Sequence, residues 1–228
     1  MKHIIKKESI AFLKTLSKNN NRDWFAKHKD KYEASRANLV DFADALLLEM
    51  NKHDNIKTVS GKKSIYRVYR DVRFSKDKTP YSNYWGGSFT RATKKLRGGY
   101  YFHIEEKKSF LAGGFWGPNP EDLQRIRRNI DLNSEEWRRV LKQKTFTKTF
   151  GKLLGEQVKS APRGYDKNHE AIDLLRYKQF IIRHDFTDKE VLSKDFVKKA
   201  NEVFKKMRLF FDHMSEVLTT DANGVSIL

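Results

Sequence analysis

Residues 84–116, YWGGSFTRATKKLRGGYYFHIEEKKSFLAGGFW, decide the fold class of this 228-residue chain. Aromatic and aliphatic residues recur there in short runs, divided by RATKKLRGG at 91–99 and EEKK at 105–108, whose glycines and charges suit turns. The spacing predicts strands over 84–91, 99–105 and 109–116 in an antiparallel meander. Within 99–105, alternation puts Tyr101, His103 and Glu105 on one face and Tyr100, Phe102 and Ile104 on the other. The same reading extends upstream to a strand at 64–74, after a change of pattern near residue 56.

Outward from this sheet the periodicity is helical. Ser9 is expected to cap a short helix carrying Ile10, Leu13 and Leu16, ended by the asparagines at 19–21. Asn21 then caps a longer helix with Phe25, Tyr32, Leu39, Phe42, Leu46 and Met50 on its apolar face. Trp24 and His28 stand at its start, where free N–H groups serve capping or attract an anion. Asn119 before Pro120 starts a helix to about 129, and Asn133 or Ser134 starts another. Residues 144–165 read as a connection, Asp166 or Asn168 caps a short helix through Arg176, and YKQFIIRHDF at 177–186 reads as a strand. From Ser193 a last helix carries Phe196, Ala200, Val203, Met207, Phe210, Met214 and Val217, a seam widened by Phe204 and Phe211. That seam suits packing on the sheet more than a coiled-coil dimer. The expected class is α+β: an antiparallel sheet of about four to six strands packed by helices from the N- and C-terminal parts. It is read as a single domain over 1–228: helices to 55, sheet with a basic site over 56–117, mostly helix with one or two strands over 118–220, and a loose tail over 221–228.

Composition bounds the function. With 16 Phe, 9 Tyr and 4 Trp the chain has the apolar surface to fold. Lys and Arg number 47 against 29 Asp and Glu, a net charge of +18, which favours nucleic acid, nucleotides or acidic headgroups as partners, or simply keeps the protein soluble. Residues 57–108 hold 14 basic and 4 acidic residues, a net of +10 in less than a quarter of the length. The absence of cysteine excludes disulfides, thiol catalysis and thiolate metal sites. Lysines scattered through the first residues, and no apolar run near membrane length, lead us to expect a cytoplasmic protein without a membrane partner. No Walker loop, GxGxxG, HExxH or GxSxG is present, which disfavours the common ATPase, dehydrogenase, zinc-protease and α/β-hydrolase classes.

The densest chemistry lies at 67–81, RVYRDVRFSKDKTPY, with five cations, two carboxylates and three aromatic rings. Arg67, Arg73, Lys76 and Lys78 are candidate ligands for phosphate, with Asp71 orienting the arginines and Tyr81 at the edge. Asp71 is expected beside Arg67, whether the segment is strand or helix. Arg70 and Asp77 are read as a structural network, and Arg163, before Gly164 and Tyr165, is a further candidate for the anion. His103 beside Glu105 is a candidate acid–base pair, or an ordinary hydrogen-bonded histidine. His169 and Asp173 stand one helical turn apart, which admits a metal but lacks a third marked ligand, so neither metal nor cofactor is expected. Three readings follow: binding of a phosphate-bearing ligand, nucleic acid or nucleotide; an enzyme acting on a small anionic substrate; and an interaction protein whose Arg–Asp network is architectural. The oligomeric state is open.

The pattern RxxRDxRF followed by DKxPY, here Arg67, Arg70, Asp71, Arg73, Phe74, Asp77, Lys78, Pro80 and Tyr81, resembles the hallmark of domain-of-unknown-function family 2461. NNNRDWFAKHKDKYE near the start, GGYYFHIE in the sheet and APRGYDKNHEAIDLLRYK in the second half extend the resemblance over nearly the whole chain. It implies one intact domain, and carries over no reaction, cofactor or catalytic residue.

Overall fold

The computed structural model describes residues 3–221 and 224–228. Its helices are α1 (Lys7–Lys18), α2 (Arg22–Lys27), α3 (Lys29–Met50), α4 (Gly61–Ser64), α5 (Pro120–Leu132), α6 (Ser134–Lys142), α7 (Lys144–Phe150), α8 (Ile172–Leu175), α9 (Asp188–Val191) and α10 (Phe196–Thr219). Its strands are β1 (Trp85–Thr90), β2 (Gly99–Ile104), β3 (Ser109–Phe115) and β4 (Phe180–Phe186). The strands form one antiparallel sheet in the order β1-β2-β3-β4, packed against helices, and the fold class is α+β. In β2 burial alternates as expected, with Tyr100, Phe102 and Ile104 buried and Tyr101 and His103 half-exposed.

Several boundaries follow from side-chain hydrogen bonds. Asn21 caps α2 by accepting the Trp24 N–H at 2.9 Å, and Asn119 caps α5 by accepting the Asp122 N–H. The long helix expected from Asn21 is broken at His28, whose Nδ1 lies 2.8 Å from the Trp24 carbonyl while α3 restarts at Lys29. Ser9 lies inside α1 rather than capping it, because its hydroxyl donates to Asn38 Oδ1 of α3 at 2.9 Å.

The strand expected over 64–74 does not form. Ser60 caps α4 by accepting the Lys63 N–H, and the chain then runs irregularly with two isolated antiparallel bridges, Ile65 to Gly87 and Tyr69 to Tyr81. Four steps along the first arm face six along the second, so extra residues bulge out of the second arm and the ladder cannot continue. The result is a loose hairpin over 65–87. α4 sits hard against α3: a Cβ on Gly61 would lie 2.5 Å from the Val40 carbonyl oxygen, so this approach needs glycine.

The chain divides into two compact units, each drawn from three segments: Met1–Thr90, Tyr101–Leu111 and Asp185–Glu202, and Arg91–Tyr100, Ala112–His184 and Val203–Leu228. In the first, Phe42 of α3 stacks on Phe196 at 5.4 Å and meets Phe102 edge-on at 5.7 Å. Trp85 stacks on Tyr32 and donates its indole N–H to the Ser9 carbonyl. In the second, Trp137 packs against Phe180 and His213, and Tyr100 against Phe204 and Phe211. The seam of α10 is buried within the chain from Phe196 to Val217. The expected connection over 144–165 contains α7, because Phe146 and Phe150, one turn apart, are both buried. The tail expected to be loose turns back: the Asp221 N–H donates to the Val225 carbonyl and the Ile227 N–H to that of Thr219, with residues 222 and 223 outside the described residues. No helix among the described residues is long and apolar enough to cross a membrane.

Candidate functional site

The basic segment occupies the hairpin over 65–87, in the first unit. Its arms are tied by Arg70 N–H to the Pro80 carbonyl and Ser82 N–H to the Val68 carbonyl. At the tip Arg70 turns inward, with its side chain 27% exposed. It donates to Asp77 Oδ2 at 2.6 Å, to the Thr79 carbonyl at 3.1 Å and to the Thr79 hydroxyl. Asp77 also accepts the Thr79 backbone N–H at 2.9 Å, and these bonds, the backbone one foremost, hold its carboxyl down to about 2. Lys78 closes the turn by donating to the Val72 carbonyl at 2.9 Å. The tip is therefore fixed by bonds among its own side chains and backbone.

Asp71 does not orient Arg67. Its carboxylate accepts from Arg73, at 3.0 Å from Nε and 2.7 Å from Nη2, as well as from the Arg73 backbone N–H. The Arg73 backbone N–H on Asp71 Oδ1 closes a tight side-chain turn that an extended segment would not make. This bidentate pair is exposed, and it lowers the Asp71 carboxyl below the usual range. Arg67 and Lys76 are exposed and take no ion pair or hydrogen bond among the described residues. Tyr81 is buried, stacked on Phe25 at 4.0 Å, with its backbone bonded in both directions to the Asn20 side chain. It anchors the hairpin instead of lining its outer face.

The second cluster lies on the half-exposed face of β2 in the same unit. The His103 ring is sandwiched between Tyr84 at 4.3 Å and Phe110 at 4.7 Å, near parallel to both. Its Nδ1 lies 3.1 Å from the Tyr101 hydroxyl and its Nε2 3.0 Å from Glu105 Oε2, while Lys108 Nζ donates to the other Glu105 oxygen. Burial pushes the Tyr101 phenol well above its usual pKa, so it remains an O–H donor. In the tautomer that donates Nε2–H to Glu105, Nδ1 accepts the Tyr101 O–H. Both ring nitrogens are engaged.

Residues 8–213 match the family described as Conserved hypothetical protein (DUF2461). The chain belongs to this family. No curated protein and no solved structure matches it.

In this DUF2461 chain two further candidates take other roles or places. Arg163 lies in the second unit, exposed in a turn closed by the Tyr165 N–H on the Pro162 carbonyl. His169 Nε2 sits 2.8 Å from Asp131, and Asp173 is held bidentately by Arg138, so the helical spacing of His169 and Asp173 is used for two separate pairs. Sequence reasoning missed Thr79, Asn20, Tyr84 and Phe110. The Asp-x-Thr spacing of 77–79 is a signal for a side-chain-closed turn. The two rings flanking His103 had none, since only strand pairing and the hairpin bring them to it.

Proposed function

We propose that this protein binds a phosphate-bearing anionic ligand, nucleic acid or nucleotide, on the exposed side of the 65–87 hairpin. The observation that carries the reading is a division of labour at the tip. Arg70, Asp77, Thr79 and Lys78 are tied to one another or to the loop's own backbone, while Arg67 and Lys76 are exposed with no carboxylate partner among the described residues. A preordered loop that presents cations loses little entropy on meeting an anion. Arg73 adds a guanidinium held in orientation by Asp71. The surrounding net charge of +10 over 57–108 supports attraction at longer range.

Anisotropy of labelled oligonucleotides and a labelled mononucleotide tests this, comparing wild type with Arg67→Ala/Lys76→Ala at ~50 and ~200 mM salt. Both substituted side chains are exposed, so melting should match. The expected result is steeply salt-dependent binding whose log–log slope flattens by about 1–2 in the variant. Wild-type binding that ignores both salt and the substitutions contradicts the proposal. A second reading, acid–base chemistry on a small anionic substrate, draws on the Tyr101–His103–Glu105 row. It expects Tyr101→Phe to abolish turnover in a substrate screen while costing only about 1 kcal/mol of stability.

A further inference from the structure

We infer that the ligand of this hairpin is a single strand of nucleic acid, whose bases stack on Phe74, Tyr69 and Tyr66 between phosphate contacts. The inference rests on the phosphate-binding reading above and names its substrate. Phe74 is 96% exposed, more than any other large hydrophobic residue among those described, yet it stands on a loop fixed by hydrogen bonds. The Arg73 guanidinium lies 5.9 Å from its ring centroid. Tyr69 is 60% exposed and Tyr66 48%. Each is backed from inside: Tyr69 by Phe25 at 6.1 Å and Tyr81 at 5.5 Å, Tyr66 by Tyr101 at 6.0 Å. The rings are thus held in place while much of their surface stays open.

Their spacing suits a strand better than a mononucleotide. Tyr66 rests on Tyr101, Tyr69 rests on Phe25 and Tyr81, and Phe74 stands at the tip beside Arg73, so the three rings have separate supports, which suits successive bases more than a single one. Cations alternate with the rings, Arg67 after Tyr66 and Arg73 before Phe74, with Lys76 following. Aromatic faces interleaved with cations bind single strands with little sequence preference, because every base has a face to stack. A duplex keeps its bases stacked on one another and would offer only phosphates. A lipid surface fits less well, since among the described residues of the tip Phe74 is the only exposed large apolar side chain, and one such side chain buries little area in a bilayer.

The test is anisotropy with a labelled oligothymidylate of about 16 nucleotides, competed by duplex of equal length, thymidine monophosphate and phosphatidylserine vesicles. Wild type is compared with Phe74→Ala and Tyr66→Ala after matched melting. The expected result is that Phe74→Ala weakens binding by roughly five-fold or more, with Tyr66→Ala in the same direction. The salt slope should stay unchanged, and duplex should compete less well than single strand. If both variants bind the oligonucleotide like wild type while the salt slope remains steep, stacking is wrong and the phosphate site stands. Duplex that competes as well as single strand also overturns the inference, as do vesicles that compete better in a Phe74-dependent way. No wild-type binding to any of the nucleic acids or the mononucleotide removes both readings.

Discussion

At the scale of single residues, the tip of the hairpin depends on where protons and guanidinium groups sit. Asp77 carries the clamp: it accepts from the Thr79 backbone, the Thr79 hydroxyl and Arg70, and its carboxyl is held at about 2 against an ordinary 3.8. A folded pKa below the unfolded one means that the contribution is complete above the unfolded value and is lost as pH falls through the folded one. The clamp is therefore expected to persist on acidification past 3.8 and to open only toward about 2. The Thr79 amide, followed by NMR, should report that late midpoint, and Asp77→Asn should shift the amide already at neutral pH. A midpoint at or above 3.8 contradicts the assigned bonds. The Arg70–Asp77 pairing was legible as a network of charges close in sequence. That Asp71 would choose Arg73 over Arg67 was not, because the choice depends on a turn whose geometry no periodicity encodes.

At the scale of elements, α1 is tied to α3 by one buried amide. Asn38, 7% exposed, accepts the Lys6 N–H at 2.8 Å and the Ser9 hydroxyl at 2.9 Å, and donates to the Ile4 carbonyl at 2.8 Å. Asn38→Ala strands two donors and an acceptor around a small cavity. It should cost about 2–3 kcal/mol in urea unfolding at unchanged m-value, and a loss below about 0.5 kcal/mol would show that water replaces the amide. Periodicity located α3 and its apolar face, and it located α10 and all four strands of the sheet. It did not mark Asn38 as core, since a polar residue on an apolar face looks like a break in the pattern. It also took 64–74 for a strand, because the alternation there is real although the bulged partner arm prevents a ladder.

At the scale of the whole molecule, the net charge of +18 acts on the fold as well as on any ligand. Self-repulsion of that size should be relieved by screening, so the melting temperature is expected to rise by a few degrees between ~50 and ~300 mM sodium chloride. A fall would mean that the exposed ion pairs outweigh the repulsion. What the sequence by itself determined is the α+β class, most element positions, the buried seam of α10 and the concentration of cations around 57–108. These depend on neighbours two to four residues apart and on composition, both of which are written locally. The tertiary structure alone decided that Tyr81 anchors while Phe74 projects, that His103 lies between Tyr84 and Phe110, and that Arg163 belongs to the other compact unit. Those outcomes come from competition among hydrogen-bond partners and from contacts between segments distant in sequence, for which local spacing holds no record.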